Sequence, residues 1–173
     1  MKGLLEIKDY TGSVKDVDLK SRIVTGYFNN WNSIDYDGDV IRKGSGQKSI
    51  NERKDKIFFL NQHDWSQPHG FASVIKEDDT GTYFESMPLS NTSYSNDALV
   101  LYSEGIVKEH SFGFQTVRSN AIKVNGKSVR EITEYKLFEF SNTTLGANEN
   151  TPFLGFKSKY NDINDLNIEV KRE

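Results

Sequence analysis

The chain has 173 residues, a length that suits one domain able to bury roughly 70% of its unfolded surface. It has no cysteine, which excludes a disulfide framework, a thiolate metal site and a cysteine nucleophile. The formal net charge is -3, no dense Lys/Arg block is present, no apolar run approaches the ~20 residues of a membrane span, and no secretory leader is visible. A soluble intracellular domain is expected, with neither nucleic acid nor membrane as partner.

The first twenty residues are mixed and predict one strand and a loop. "SRIVTGYFNNW" (21–31) is β-branched and aromatic, hence a strand. "SIDYDGDVIRKG" (33–44) reads as a turn-rich loop and a short strand, and "SGQKSINER" (45–53) as a short helix. "KIFFLNQH" (56–63) is a dense apolar run ending in polar residues, read as a strand that carries His63 at its end. "GFASVIKEDDTGTYFESMPL" (70–89) predicts a hairpin turning at "EDDTG". "SNTSYSNDALVLYSEG" (90–105) predicts a helix: Ser and Asn offer N-caps, Ala98, Leu99, Leu101 and Tyr102 form an apolar stripe, and Gly105 is a natural stop. Residues 110–145 predict two long strands around an Asn125-Gly126 turn, the strongest short-range hairpin signal. Residues 158–173 are polar and charged and predict a flexible tail after a domain of residues 1–157. The pattern is mainly β with helices, an α+β chain whose many strands suit a barrel or sandwich.

"KEHSFGF" (108–114) sets His110 beside Ser111. In a strand, successive side chains point to opposite faces, so His110 shares a face with Phe112 and Phe114 and turns away from Ser111. A base for a Ser111 nucleophile must come from His63 or His69. His69, between Pro68 and Gly70, reads as a turn residue, whereas His63 has a rigid mount on a strand whose face it shares with Ile57, Phe59 and Asn61. A histidine that caps a strand by bonding a backbone carbonyl has the same local sequence, and Ser111 reads equally as a strand hydroxyl. Gly113, on the Ser111 face, either clears space for a substrate backbone or marks a bulge. Glu139, between Phe138 and Phe140, is a carboxylate in an apolar run that needs a partner; an Arg, a Lys or His63 would serve. "DYDGD" (35–39) lacks the register of a calcium loop and reads as a tight turn. No zinc motif, phosphate loop or dinucleotide fingerprint is present, so no metal or cofactor is expected.

Four stretches, in order, resemble the tailed-phage prohead (capsid maturation) proteases, distant relatives of the herpesvirus assembly proteases. They are "VTGYFNNWNSIDYDGDVIRKGS", "FFLNQHDWSQPHGFA", "GIVKEHSFGF" and "EYKLFEFSNTTLGANENTP". The likeness runs from about Ile23 to Lys157. It implies a herpes-protease-like closed β-barrel flanked by a few helices, with Ser111 as nucleophile and His63 as base. Glu139 occupies the family's acidic position, where the herpesvirus relatives use a second histidine. Gly146, Ala147 and Asn148 stand where many relatives have Pro-Ala-Asn, and with Gly113 they are the expected oxyanion and substrate loop. The implied activity is a serine endopeptidase acting inside the immature procapsid in the host cytoplasm. Its substrates would be the scaffold protein, the major capsid protein's extension and itself, and a homo-oligomer is allowed. An inert structural domain of the same fold, or a serine esterase or amidase, are the alternatives.

Overall fold

A computed structural model describes residues 6–11, 19–31, 33–35, 37–144 and 153–156. In chain order these form β1 (Glu6–Thr11), β2 (Val24–Asn30), β3 (Asp39–Ile41), α1 (Gln47–Arg53), a 3-10 turn (Lys54–Lys56), β4 (Phe58–Asn61) and β5 (Asp64–Glu77). They continue with β6 (Gly81–Ser86), α2 (Ser93–Ser103), β7 (Glu109–Val124), β8 (Lys127–Thr143) and β9 (Phe153–Phe156). The fold is mainly β with few helices. One sheet carries all nine described strands, paired in the order β1-β7-β8-β4-β5-β6-β2-β9, with β3 added parallel to β8.

The sheet curls, and the long strands show why. β7 and β8 form one antiparallel ribbon around Asn125 (φ 51°) and Gly126 (φ 79°), the left-handed pair that a two-residue hairpin turn requires. Its register shifts three times, and each bulge adds local twist. At the shift after Gly113, Phe138 is the extra residue, since Gly113 pairs with Glu139 and Phe114 with Leu137. That one insertion lets Leu137 and Phe140, three positions apart, both reach the core.

The concave face is filled by aromatic side chains. Phe140 stacks on Phe59 at 4.7 Å and meets Phe84 at 4.6 Å, while Phe28 of β2 lies 5.4 Å from Phe112 of β7. Such ring pairs add about 0.5–1.5 kcal/mol each beyond area burial. The Phe28–Phe112 contact brings β2, near one end of the pairing order, back against β7, near the other. The described strands form a curled half-barrel whose hydrogen-bonded path stays open.

Helix α2 begins at Thr92, whose hydroxyl accepts from Ser95 N, and buries Ala98, Leu99 and Tyr102. The Asp35–Asp39 segment is the expected tight turn: Asp35 Oδ1 accepts from Asp37 N and Asp39 N, both at 2.9 Å.

Two sequence expectations need correction, and one element was not foreseen. β4 stops at Asn61, so His63 does not end that strand and does not share a face with Ile57 and Phe59. His69 lies within β5 rather than in a turn. β9, a short strand on β2, has no counterpart in the sequence reading. The expected flexible tail, 158–173, lies outside the described residues.

Candidate active site

β8 is the platform of the site. β7 pairs with it antiparallel on one side, and β4 pairs with it parallel on the other. Alternation along β8 sends Phe140 into the core and Glu139 and Ser141 to the opposite face. Gly113 of β7 sits directly across from Glu139, and Ser111 directly across from Ser141. Opposed Cβ atoms in such a pair lie roughly 4.5–5.5 Å apart, so Ser111 and Ser141 are side-chain neighbours.

His63 reaches this face through a tight turn. Asn61 pairs with Asp64, and the two residues between them, Gln62 (φ 53°) and His63 (φ 59°), are both left-handed. Neither is a glycine, so each pays about 1–2 kcal/mol of steric strain. Contacts to β8 offset it. Gln62 N donates to Asn142 O at 3.1 Å, His63 N donates to Ser141 Oγ at 3.2 Å, and Asn142 Nδ2 donates to Asn61 Oδ1 at 3.0 Å. The strained turn thus delivers an imidazole over the strand that holds the carboxylate.

His63 Nδ1 lies 2.7 Å from Glu139 Oε1, and Ser141 Oγ donates to Glu139 Oε2 at 2.6 Å. Glu139 is wholly buried, and such a carboxylate persists only when its oxygens are partnered. A carboxylate oxygen can only accept from the ring, so Nδ1 donates to Oε1, and in the neutral form of that tautomer Nε2 carries the lone pair. Ser111 has 0% exposure, and its Oγ makes no hydrogen bond among the described residues. The His63 side chain is 17% exposed. The outer face continues past Glu139 into an aromatic group: Phe58, the parallel neighbour of Glu139, lies 5.0 Å from Phe71 and 6.0 Å from the half-exposed Trp65.

A family model described as Caudovirus prohead serine protease matches residues 10–165. The chain belongs to that family. It is 28% identical over 143 residues to the prohead protease of Enterobacteria phage HK97, covering 82% of this chain. It spans 63% of that relative's length. In fold it is similar to the bacteriophage T4 capsid assembly protease, with a TM-score of 0.57 over 80% of this chain and 96% of the other, at 15% identity.

In this prohead protease family member the other two histidines are on the core side. His110 is buried beneath α2, with Nε2 2.7 Å from Tyr102 Oη and its ring edge-on to Phe84 at 4.8 Å. Burial pushes it down to about 3, so it stays neutral. This is the placement that strand alternation predicts for the neighbour of Ser111. His69 is also buried, with Nδ1 2.7 Å from Ser95 Oγ and Nε2 2.7 Å from Asn142 Oδ1. Burial pushes it to about 4. It forms a Ser-His-Asn constellation sealed inside the protein.

Gly113 has a reason beyond the two weighed from sequence. A Cβ built there would collide with Glu139 Oε1 and lie 3.0 Å from its Cδ, so the glycine makes room for the carboxylate. Gly146, Ala147 and Asn148 lie outside the described residues. Sequence reasoning gave no role to Ser141 or Asn142, both of which hold the His63 turn. The signal for Ser141 was its spacing, two residues after Glu139 and hence on the same face.

Proposed function

We propose that this chain is a serine endopeptidase of phage procapsid maturation, with Ser111 as nucleophile, His63 as general base and Glu139 as the group that orients it. One observation carries the reading: the 2.7 Å contact between His63 Nδ1 and Glu139 Oε1, on the face where Ser111 is one strand away. Ser111 Oγ attacks the scissile carbonyl while His63 Nε2 takes its proton. The resulting imidazolium is stabilised by the buried Glu139 carboxylate, and the proton then passes to the leaving amine. Water completes the cycle by hydrolysing the acyl-enzyme through the same base. Catalytic hydrogen bonds often tighten only with substrate in place, which fits a Ser111 hydroxyl that makes no hydrogen bond among the described residues.

The substrates we infer are the scaffold protein and the extension of the major capsid protein, together with the chain itself, inside the immature shell. Enclosure at high local concentration lowers the intrinsic affinity such an enzyme needs. The oxyanion donors are sought in Gly113 and in Gly146–Asn148, the segment that follows β8. The curled sheet is read as part of a closed herpes-protease-like barrel, because Phe28 already draws β2 against β7.

A second reading, an inert structural domain of this fold, draws on the burial of Ser111 and on its making no hydrogen bond among the described residues. Incubation with a phage major capsid protein and its scaffold separates the two. The protease reading expects discrete cleavage by the wild type and none by Ser111→Ala. Intact capsid and scaffold proteins after incubation with folded wild type overturn it.

A further inference from the structure

We propose that Ser141 is a positioning residue that couples Glu139 to the backbone of the His63 turn, making the base and its carboxylate one unit. The proposal rests on the reading of His63 and Glu139 given above. Ser141 has a single hydroxyl proton, and the geometry assigns it. Its Oγ receives the His63 N–H at 3.2 Å, so the lone pair facing the turn is occupied. Its proton points to Glu139 Oε2 at 2.6 Å. The other carboxylate oxygen faces His63 Nδ1 at 2.7 Å. Backbone of His63, hydroxyl of Ser141, carboxylate of Glu139 and ring of His63 therefore close a loop of three hydrogen bonds.

Two consequences follow. The first is geometric: the ring is held at both its main chain and its Nδ1, which limits rotation of the imidazole about its side-chain torsions. The second is electrostatic. Ser141 and Glu139 are both wholly buried, so water does not replace a lost donor cheaply. The Ser141 hydroxyl stabilises the ionised carboxylate most when His63 is neutral, because the imidazolium supplies its own compensation. Removing the hydroxyl destabilises the deprotonated pair more than the protonated one. His63 then takes up a proton at higher pH.

Among the described residues, the other titratable groups near this patch are Glu109, two residues before Ser111 on the same strand face, Asp9 of β1, which is the register partner of Ser111, and Asp64 beside His63 in the turn. Asp64 is held by Ser66 N and Oγ at 2.8 and 2.6 Å, and the Ser141 hydroxyl bonds His63 N and Glu139 Oε2 rather than any of these among the described residues.

The test is an NMR titration of the histidine ring signals in full-length protein, wild type against Ser141→Ala, with acylation by a fluorophosphonate probe measured over the same pH range. The expected result is a His63 midpoint moved up by about one pH unit in Ser141→Ala. The acid limb of the acylation rate moves with it. Ser141→Thr, which keeps the hydroxyl, should titrate like the wild type. Ser141→Cys, a weaker donor that also serves if the alanine variant fails to fold, should shift in the same direction by less. An unmoved His63 midpoint in a folded Ala or Cys variant overturns the proposal. A wild type that is never acylated removes the proteolytic reading instead, and the NMR midpoints still decide whether Ser141 positions the pair.

Discussion

Gly113→Ala tests the packing of the site more sharply than truncating any of its polar groups. A Cβ at this position would lie 3.0 Å from Glu139 Cδ and 3.1 Å from Cγ, with Oε1 closer still. Ordinary contacts of this kind begin near 3.4 Å, so the carboxylate has to move by several tenths of an ångström or more. It is tied at both oxygens, by His63 and by Ser141, and has no solvent to retreat into. Overpacking of a buried site costs about 1–3 kcal/mol. Breaking a hydrogen bond to a buried charged group costs about 1.5–3 kcal/mol. The expected destabilisation is about 3–5 kcal/mol, or a fall in Tm of roughly 6–20 °C for a domain of this size. In a Glu139→Ala background the obstructing atoms are gone. There the same substitution should be neutral or stabilising by about 0.4–1 kcal/mol, as glycine-to-alanine changes are when the backbone allows them. Urea denaturation of the four proteins in this cycle gives the coupling energy directly. Equal costs of Gly113→Ala in both backgrounds would show that Glu139 does not occupy the space over the glycine.

Ser111→Ala should lower peptide turnover by on the order of 10^4 or more, and a drop of only a few fold would reject it as nucleophile. His110→Ala removes the Tyr102 contact and a core ring, at about 2–4 kcal/mol, but the folded fraction should acylate within about threefold of wild type; lost acylation in folded protein would contradict its placement on the core face. His69 and His110 stay neutral in the fold, pushed by burial to about 4 and about 3 from an ordinary 6.5. The unfolded chain therefore binds more protons below pH 6.5. Their contribution to stability is fully present above that pH, is lost as pH falls toward 4 and 3, and approaches about 2.7 kcal/mol per pH unit while both are engaged. Urea midpoints that stay level between pH 7 and pH 4.5 would refute the two neutral assignments.

Much of this geometry was legible before any coordinates. Asn125-Gly126 announced the β7–β8 ribbon, because that dipeptide accepts two left-handed residues at little cost. Strand alternation separated Ser111 from His110, and the same ribbon carried Glu139 back beside the Ser111 strand. What stayed hidden was the turn that mounts His63. Gln62 and His63 adopt left-handed backbone without glycine or asparagine, so nothing local marks a turn there; the contacts from Asn142 and Ser141, some eighty residues away, hold it. Without that turn β4 seems to run on through His63, and β5 has no visible start before Gly70. The bulge at Phe138 was hidden for the same reason, since its signature is a register set by the partner strand. Gly113 was correctly singled out as unusual, but its purpose depends on a carboxylate that only the pairing reveals.

The central claim is that Ser111, His63 and Glu139 act as one unit, and peptide mapping of a fluorophosphonate adduct tests it most directly. The account predicts a single adduct on Ser111 in the wild type, lost in His63→Ala and reduced by about 10^2-fold or more in Glu139→Ala. An adduct on another residue, or one on Ser111 that persists unchanged in His63→Ala, would contradict it.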